Sequence, residues 1–243
     1  MPFIQPISIT TQQLVQYNDA WKTLVNGPNA STLNSYFLTS AGSNVLINYV
    51  FLPASMAQAI LAAGPTSIAL WFVVAPGTSS FSMGVAGLDV NNQLLAPCYL
   101  AGVGGRATVT QAGELAGTHP ETIDATLGTT ISLLKASNSI NGWNSLAADA
   151  LNTGQFNSGY SERLSGYNYS VGDLQGALSG LISNDTALWF NFGLNLTTPK
   201  FDTVLTRNTV PTPSDPGTIL LSDSVTYFDV AKPVPPHTFV VAP

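Results

Sequence analysis

The chain has 243 residues, a formal net charge of −6 and an ordinary 45% of apolar residues, but only 8% are charged, where about a quarter is usual. The seven basic residues, Lys22, Arg106, Lys135, Arg163, Lys200, Arg207 and Lys232, stand apart from one another, which argues against nucleic acid as a partner because phosphate binding draws on clustered cations. Aromatic residues at 9% exclude a disordered chain, and no apolar run reaches the length of a membrane span.

Thr10 or Thr11 suits an N-cap, and Leu14, Tyr17, Trp21, Leu24 and Val25 then share one helical face before Asn26-Gly27-Pro28, so a helix is expected from about 11 to 25. Val45 to Leu52 reads as a strand. Pro53-Ala54-Ser55 opens a helix carrying Met56, Ala59, Ile60 and Ala63, stopped at Gly64-Pro65. A buried strand, Ile68 to Val74, and a half-buried one through Phe81, Met83 and Val85 form a hairpin. Asp89 to Asn92 turns the chain into Gln93 to Leu100.

Residues 101–130, rich in glycine, read as a connector. Beyond it a helix is expected at about 131–151, a strand at 167–170, a helix at 171–182, and strands at 186–194 and 201–207. Pro211, Pro213 and Pro216 mark an extended loop, and Leu220 to Val230 reads as a closing strand. Residues 231–243 form an extended Pro-rich tail.

The organising feature is an echo. Ala69-Leu70-Trp71-Phe72 recurs as Ala187-Leu188-Trp189-Phe190, 118 positions on, and at the same offset Tyr49 falls on Tyr167 and Ala59 on Ala177. Trp21 is answered by Trp143 at an offset of 122, and Phe81 by Phe201 at 120. Matching anchors in one order imply duplication of a unit of roughly 90 residues. The expected fold class is therefore α+β and internally duplicated. Two similar α-β-α-β-β units, 1–100 and 131–230, would each have a short, mostly antiparallel sheet backed by helices.

Groups that do chemistry are scarce. Glu114, His119, Glu121 and Asp124 form the densest cluster, but His119-Pro120-Glu121 reads better as a helix start than as a metal or catalytic site. Gly102-Val103-Gly104-Gly105-Arg106 lacks the spacing of a phosphate loop. Cys98, the sole cysteine, has no basic neighbour to stabilise a thiolate. The four tryptophans lie in apolar patterns and read as core. No catalytic, cofactor-binding or metal-binding residue is assigned, and no enzyme is expected.

A low-charge surface of neutral polar residues is compatible with extensive self-contact. The expected function is thus a non-enzymatic structural protein that assembles with copies of itself into a filament, sheet, shell or lattice. The alternative is a binding module for a small molecule or carbohydrate, with a cleft between the units. The N-terminal residues carry no secretory pattern. Cytoplasmic synthesis is the expectation, with extracellular or virion-associated assembly left open.

Overall fold

The computed structural model describes residues 4–40, 42–75, 80–112, 123–124, 128–157, 163–179, 183–194, 199–222, 225–228 and 232–234. In chain order these form β1 (Ile7–Ile9), α1 (Thr11–Asn26), a 3-10 segment (Pro28–Phe37), β2 (Tyr49–Pro53), α2 (Ala54–Ala62), β3 (Ser67–Val74), β4 (Phe81–Leu88), β5 (Leu94–Leu100), β6 (Thr108–Gln111), β7 (Ile123–Asp124) and β8 (Gly128–Ile131). There follow α3 (Leu133–Asn144), two 3-10 turns (Ala148–Ala150 and Thr153–Phe156), β9 (Gly166–Ser170), α4 (Val171–Ala177), β10 (Thr186–Leu194), β11 (Phe201–Thr209), β12 (Thr218–Leu221), β13 (Tyr227–Phe228) and β14 (Lys232–Val234).

Two six-stranded sheets carry the fold, ordered β1-β5-β4-β3-β9-β14 and β2-β10-β11-β13-β8-β7, and their named pairs are all antiparallel. A separate parallel ribbon joins β12 to β6. The α+β class, with mostly antiparallel sheets backed by helices, is the one that the patterning implies.

The two echoing strands, β3 and β10, are central. Each forms a hairpin with the next strand, and each takes its other neighbour from the far half of the chain: β9 beside β3, and β2 beside β10. Both are largely apolar because both sheet faces are covered, with Ser67, Thr186 and Asn191 as the polar exceptions. On β3, Trp71 and Val73 point out to α1 and pack with Leu14, while Leu70, Phe72 and Val74 point inward. On β10, Trp189 points out to α3 and to Ile219 and Leu221 of the ribbon, while Phe190 and Phe192 point inward.

Between the sheets lies an aromatic cluster. Trp21 meets Phe72, Phe81 and Phe156 with ring centroids 5.5, 5.3 and 5.1 Å away. Trp143 meets Phe192, Phe201 and Phe37 at 5.4, 5.2 and 5.7 Å. Most of these contacts are edge-to-face, the geometry that the ring quadrupole favours. Both buried indoles also find acceptors. Trp21 Nε1 donates to the Leu164 carbonyl at 2.7 Å, and Trp143 Nε1 to the Ile47 carbonyl at 2.8 Å. Each helix of one half is thus tied to the backbone that leads into the strand the other half contributes.

Several boundaries differ from expectation, for local reasons. The first helix is capped as its sequence implies, with Thr10 and Gln13 forming a capping box. The third is shorter than 131–151: Asn144 and Ser145 turn their side chains back onto the Ile140 and Gly142 carbonyls, and the chain leaves the helix there. The expected strand at 45–52 begins only at Tyr49, because Asn48 turns inward. Its side chain exchanges hydrogen bonds with the Ala107 backbone and donates to Asn144 Oδ1. The connector holds β6, β7 and β8, and the closing strand splits into β12 and β13, which belong to different sheets. Three residues of the expected tail form β14 on the edge of β9.

Trp21→Ala and Trp143→Ala should each lower unfolding stability by about 3–5 kcal/mol, through the cavity and the orphaned carbonyl left behind. Urea titration followed by far-UV circular dichroism checks this.

Candidate functional site

Of the acidic and histidine cluster in the connector, Glu114, His119 and Glu121 lie outside the described residues, as does His237. Asp124 ends β7. Among the described residues, no three of His, Cys, Asp and Glu gather where a metal ion could be held.

The glycine stretch serves packing. Gly102 exchanges backbone hydrogen bonds with Phe51 at 2.8 and 2.9 Å, extending the sheet past β2. A Cβ on Gly102 would fall 2.5 Å from the Phe51 ring, and one on Gly104 would fall 1.8 Å from the Tyr49 hydroxyl. These positions are glycine because two aromatic side chains cross the backbone there. Arg106 donates to the Asn144 carbonyl at 2.9 Å, at the C-terminus of α3, where a cation complements the helix dipole.

Cys98 is 1% exposed on the α1 side of β5, with its Sγ 3.5 Å from the Leu95 carbonyl. Burial pushes its thiol up to about 11, so at neutral pH it is protonated and a poor nucleophile. Two phenols are also shifted upward. Tyr49 is raised by burial and then by Asp215, and its hydroxyl donates to the Pro216 carbonyl at 2.7 Å. Tyr167 is raised by burial, then by Asp202 and Tyr169, and donates to the Phe201 carbonyl. Both hydroxyls hold backbone in place.

All four tryptophans are at most 1% exposed. Trp189 stacks on Tyr49 at 3.9 Å and donates to the Thr209 carbonyl. No indole therefore offers a face on which a sugar could stack, and the patterns that placed the tryptophans in the core hold.

A shallow surface pocket of about 240 Å³ is lined by Asn152, Gly154, Gln155, Pro199 and Lys200, somewhat below the usual size of a small-molecule site. Its amides are already engaged. Gln155 Oε1 accepts from the Asn152 N–H and Nε2 donates to the Ala150 carbonyl, while Asn152 Oδ1 accepts from the Gly154 N–H. Lys200 is half-buried at its rim. The buried asparagines likewise act as braces: Asn18 donates to the Phe72 and Ser165 carbonyls, and Asn191 to the Val204 carbonyl and Thr206 Oγ1. The Asn191 Oδ1 is buried without a hydrogen-bond partner.

No protein-family model matches the chain, and no curated protein or solved structure matches it either.

The raised Cys98 value has a definite pH consequence. Unfolding exposes a thiol that ionises near 9.0, so its contribution is complete below that pH and is lost as pH rises towards about 11. The buried phenols act in the same direction above about pH 10. A thiol-reactive chromogenic disulfide at pH 8 should leave the native protein unmodified and label one thiol in denaturant, and the thermal midpoint should fall steadily above pH 9.

Proposed function

We propose that this protein is a non-enzymatic structural subunit that assembles with copies of itself, built from two related units whose duplication presents similar faces twice. The observation that carries the reading is the correspondence between the sheets. The orders β1-β5-β4-β3-β9 and β8-β13-β11-β10-β2 run in parallel, strand for strand.

The registers agree with that pairing. Leu70 lies opposite Tyr167, and Phe190 opposite Val50; Phe72 lies opposite Met83, and Phe192 opposite Thr203. These partners superpose if β3 and β4 are displaced by 120 positions onto β10 and β11, and β2 by 117 onto β9. The N-caps Thr10 and Ser132, like Trp21 and Trp143, stand 122 apart. The single offset of 118 suggested by Ala-Leu-Trp-Phe is therefore two residues out for the central strands: the counterpart of Phe72 is Phe192, and that of Trp71 is Asn191. A shift of two leaves every side chain on its own sheet face, which is why the echo still places both tryptophans outward.

The aromatic contacts repeat under the same exchange. Phe72–Phe201 at 5.3 Å answers Phe192–Phe81 at 5.7 Å, and Phe37–Trp143 at 5.7 Å answers Phe156–Trp21 at 5.1 Å. The units would thus have exchanged β2 and β9 across an approximate twofold axis.

Such a pair favours extended assembly. A surface patch able to contact a copy of itself makes only a dimer when it occurs once. Occurring twice on one chain, it links each chain to two neighbours and propagates. The neutral polar surface offers little charge repulsion to oppose this. The buried tryptophans and the small, internally satisfied pocket do not favour the ligand-binding alternative.

Negative-stain microscopy and light scattering, on the full chain and on a form ending at Val234 so that β14 is kept, provide the test. Ordered polymers of the full chain are expected. A constant mass of one 25.4 kDa chain across concentration, salt and pH would overturn the reading. Loss of polymers in the shortened form alone would assign residues 235–243 as a connecting strap.

A further inference from the structure

Sheet edges are where one chain can add to another, and the edges of this molecule differ. β14 carries Lys232 and Pro233, and β7 carries Asp124, residue types that discourage strand addition. The outer side of β2 is occupied at Phe51 by Gly102. β1 is three residues long, set between Pro6 and the start of α1.

Among the described residues β6 has no such protection. Its sequence is Thr-Val-Thr-Gln, with three of four residues exposed and Val109 half-buried. Among the described residues its one strand partner is β12. The Thr108 and Ala112 N–H groups donate to the Gly217 and Leu221 carbonyls. In a parallel ladder the alternate residues, Val109 and Gln111, then direct their N–H and C=O groups away from β12. The outer face of the ribbon is formed by Thr108, Thr110, Thr218 and Leu220, and Leu220 is 41% exposed. Neither strand contains a charged residue.

We propose that β6 is the edge at which two copies of this chain pair, antiparallel and about a twofold axis, to make a continuous four-stranded sheet. The proposal rests on the self-assembling reading and names one of its contacts. The outward groups dictate the register. Val109 lies opposite Gln111 of the second copy, Gln111 opposite Val109, and Thr110 faces Thr110 across the axis, giving about four backbone hydrogen bonds. The centre is a threonine–threonine pair, a favourable cross-strand match. The contact is self-complementary and has no charge to oppose it, so a second copy fits better than an unrelated strand.

The register supplies its own test, because residue 110 would meet itself. Sedimentation or light scattering is measured on the full-length wild type, on Thr110→Lys and Thr110→Glu separately, on an equimolar mixture of the two, and on Gln111→Pro. The proline removes an outward N–H and leaves the β12 ladder intact; circular dichroism and thermal midpoints confirm that each variant is folded. Each charged variant alone should need at least a tenfold higher concentration to associate, Gln111→Pro should do the same, and the mixture should regain association. If the wild type associates and folded variants associate equally well, the β6 contact is overturned while the assembly reading stands, and chain residues outside the described set become the edge's occupant. If the wild type is monomeric throughout, both fail. Weakened association in the charged variants without rescue in the mixture would overturn the twofold register.

Discussion

The ladder between β2 and β10, with its counterpart between β9 and β3, is the constraint on which the rest of the molecule depends. Each central strand completes its hydrogen bonding with a segment at least 95 positions away in sequence, so neither sheet closes without backbone from both halves. The aromatic cluster follows from this. Once the sheets are held face to face, the inward side chains of β3, β4, β10 and β11 share one interior, and Trp21 and Trp143 fill its flanks. The indole hydrogen bonds to Leu164 and Ile47 fasten α1 to the approach of β9 and α3 to the approach of β2. Packing and topology are thus one arrangement.

Much of the fold was legible because its elements are patterned by burial. β3 and β10 are mostly apolar and are buried along nearly their whole length; α1 follows from its cap and its helical stripe. Beyond the β3–β4 hairpin, what could not be read was which distant strands pair. Tyr49–Pro53 and Gly166–Ser170 look alike, and nothing local to either says that it crosses to the opposite sheet, since a strand's hydrophobic pattern reports its faces and not its neighbours. The Ala-Leu-Trp-Phe echo leaves the pairing open for a related reason: a shift of two conserves the inward and outward alternation, so Trp71 and Trp189 both face outward whatever their register.

The candidate site was legible mainly through scarcity. Cys98 sits in the apolar surroundings that its neighbours imply, and Gly102 and Gly104 are explained by Phe51 and Tyr49, aromatic residues some fifty positions upstream that no motif search would connect with them. The exposed ribbon was not foreseen at all. Thr108–Gln111 lies in a glycine-rich stretch with no strong period, and β12 pairs with it in parallel from across the chain. A four-residue strand of threonine, valine and glutamine is too short and too polar to stand out until its partner is known.

The pairing of β2 with β10 and of β9 with β3 also bears on synthesis at the ribosome. β2 emerges early but its partner β10 is made more than 130 residues later, and β3 must wait from Val74 to Gly166 for the strand that covers its flank. At ordinary elongation rates of about 5–20 residues per second, that flank stays open for on the order of 5–20 s. During this interval the nascent first half presents an uncharged, strongly apolar strand edge in a crowded polysome, where the same edge on a neighbouring chain is close by. The architecture that interlocks the finished molecule therefore places its greatest demand for protection on the unfinished one.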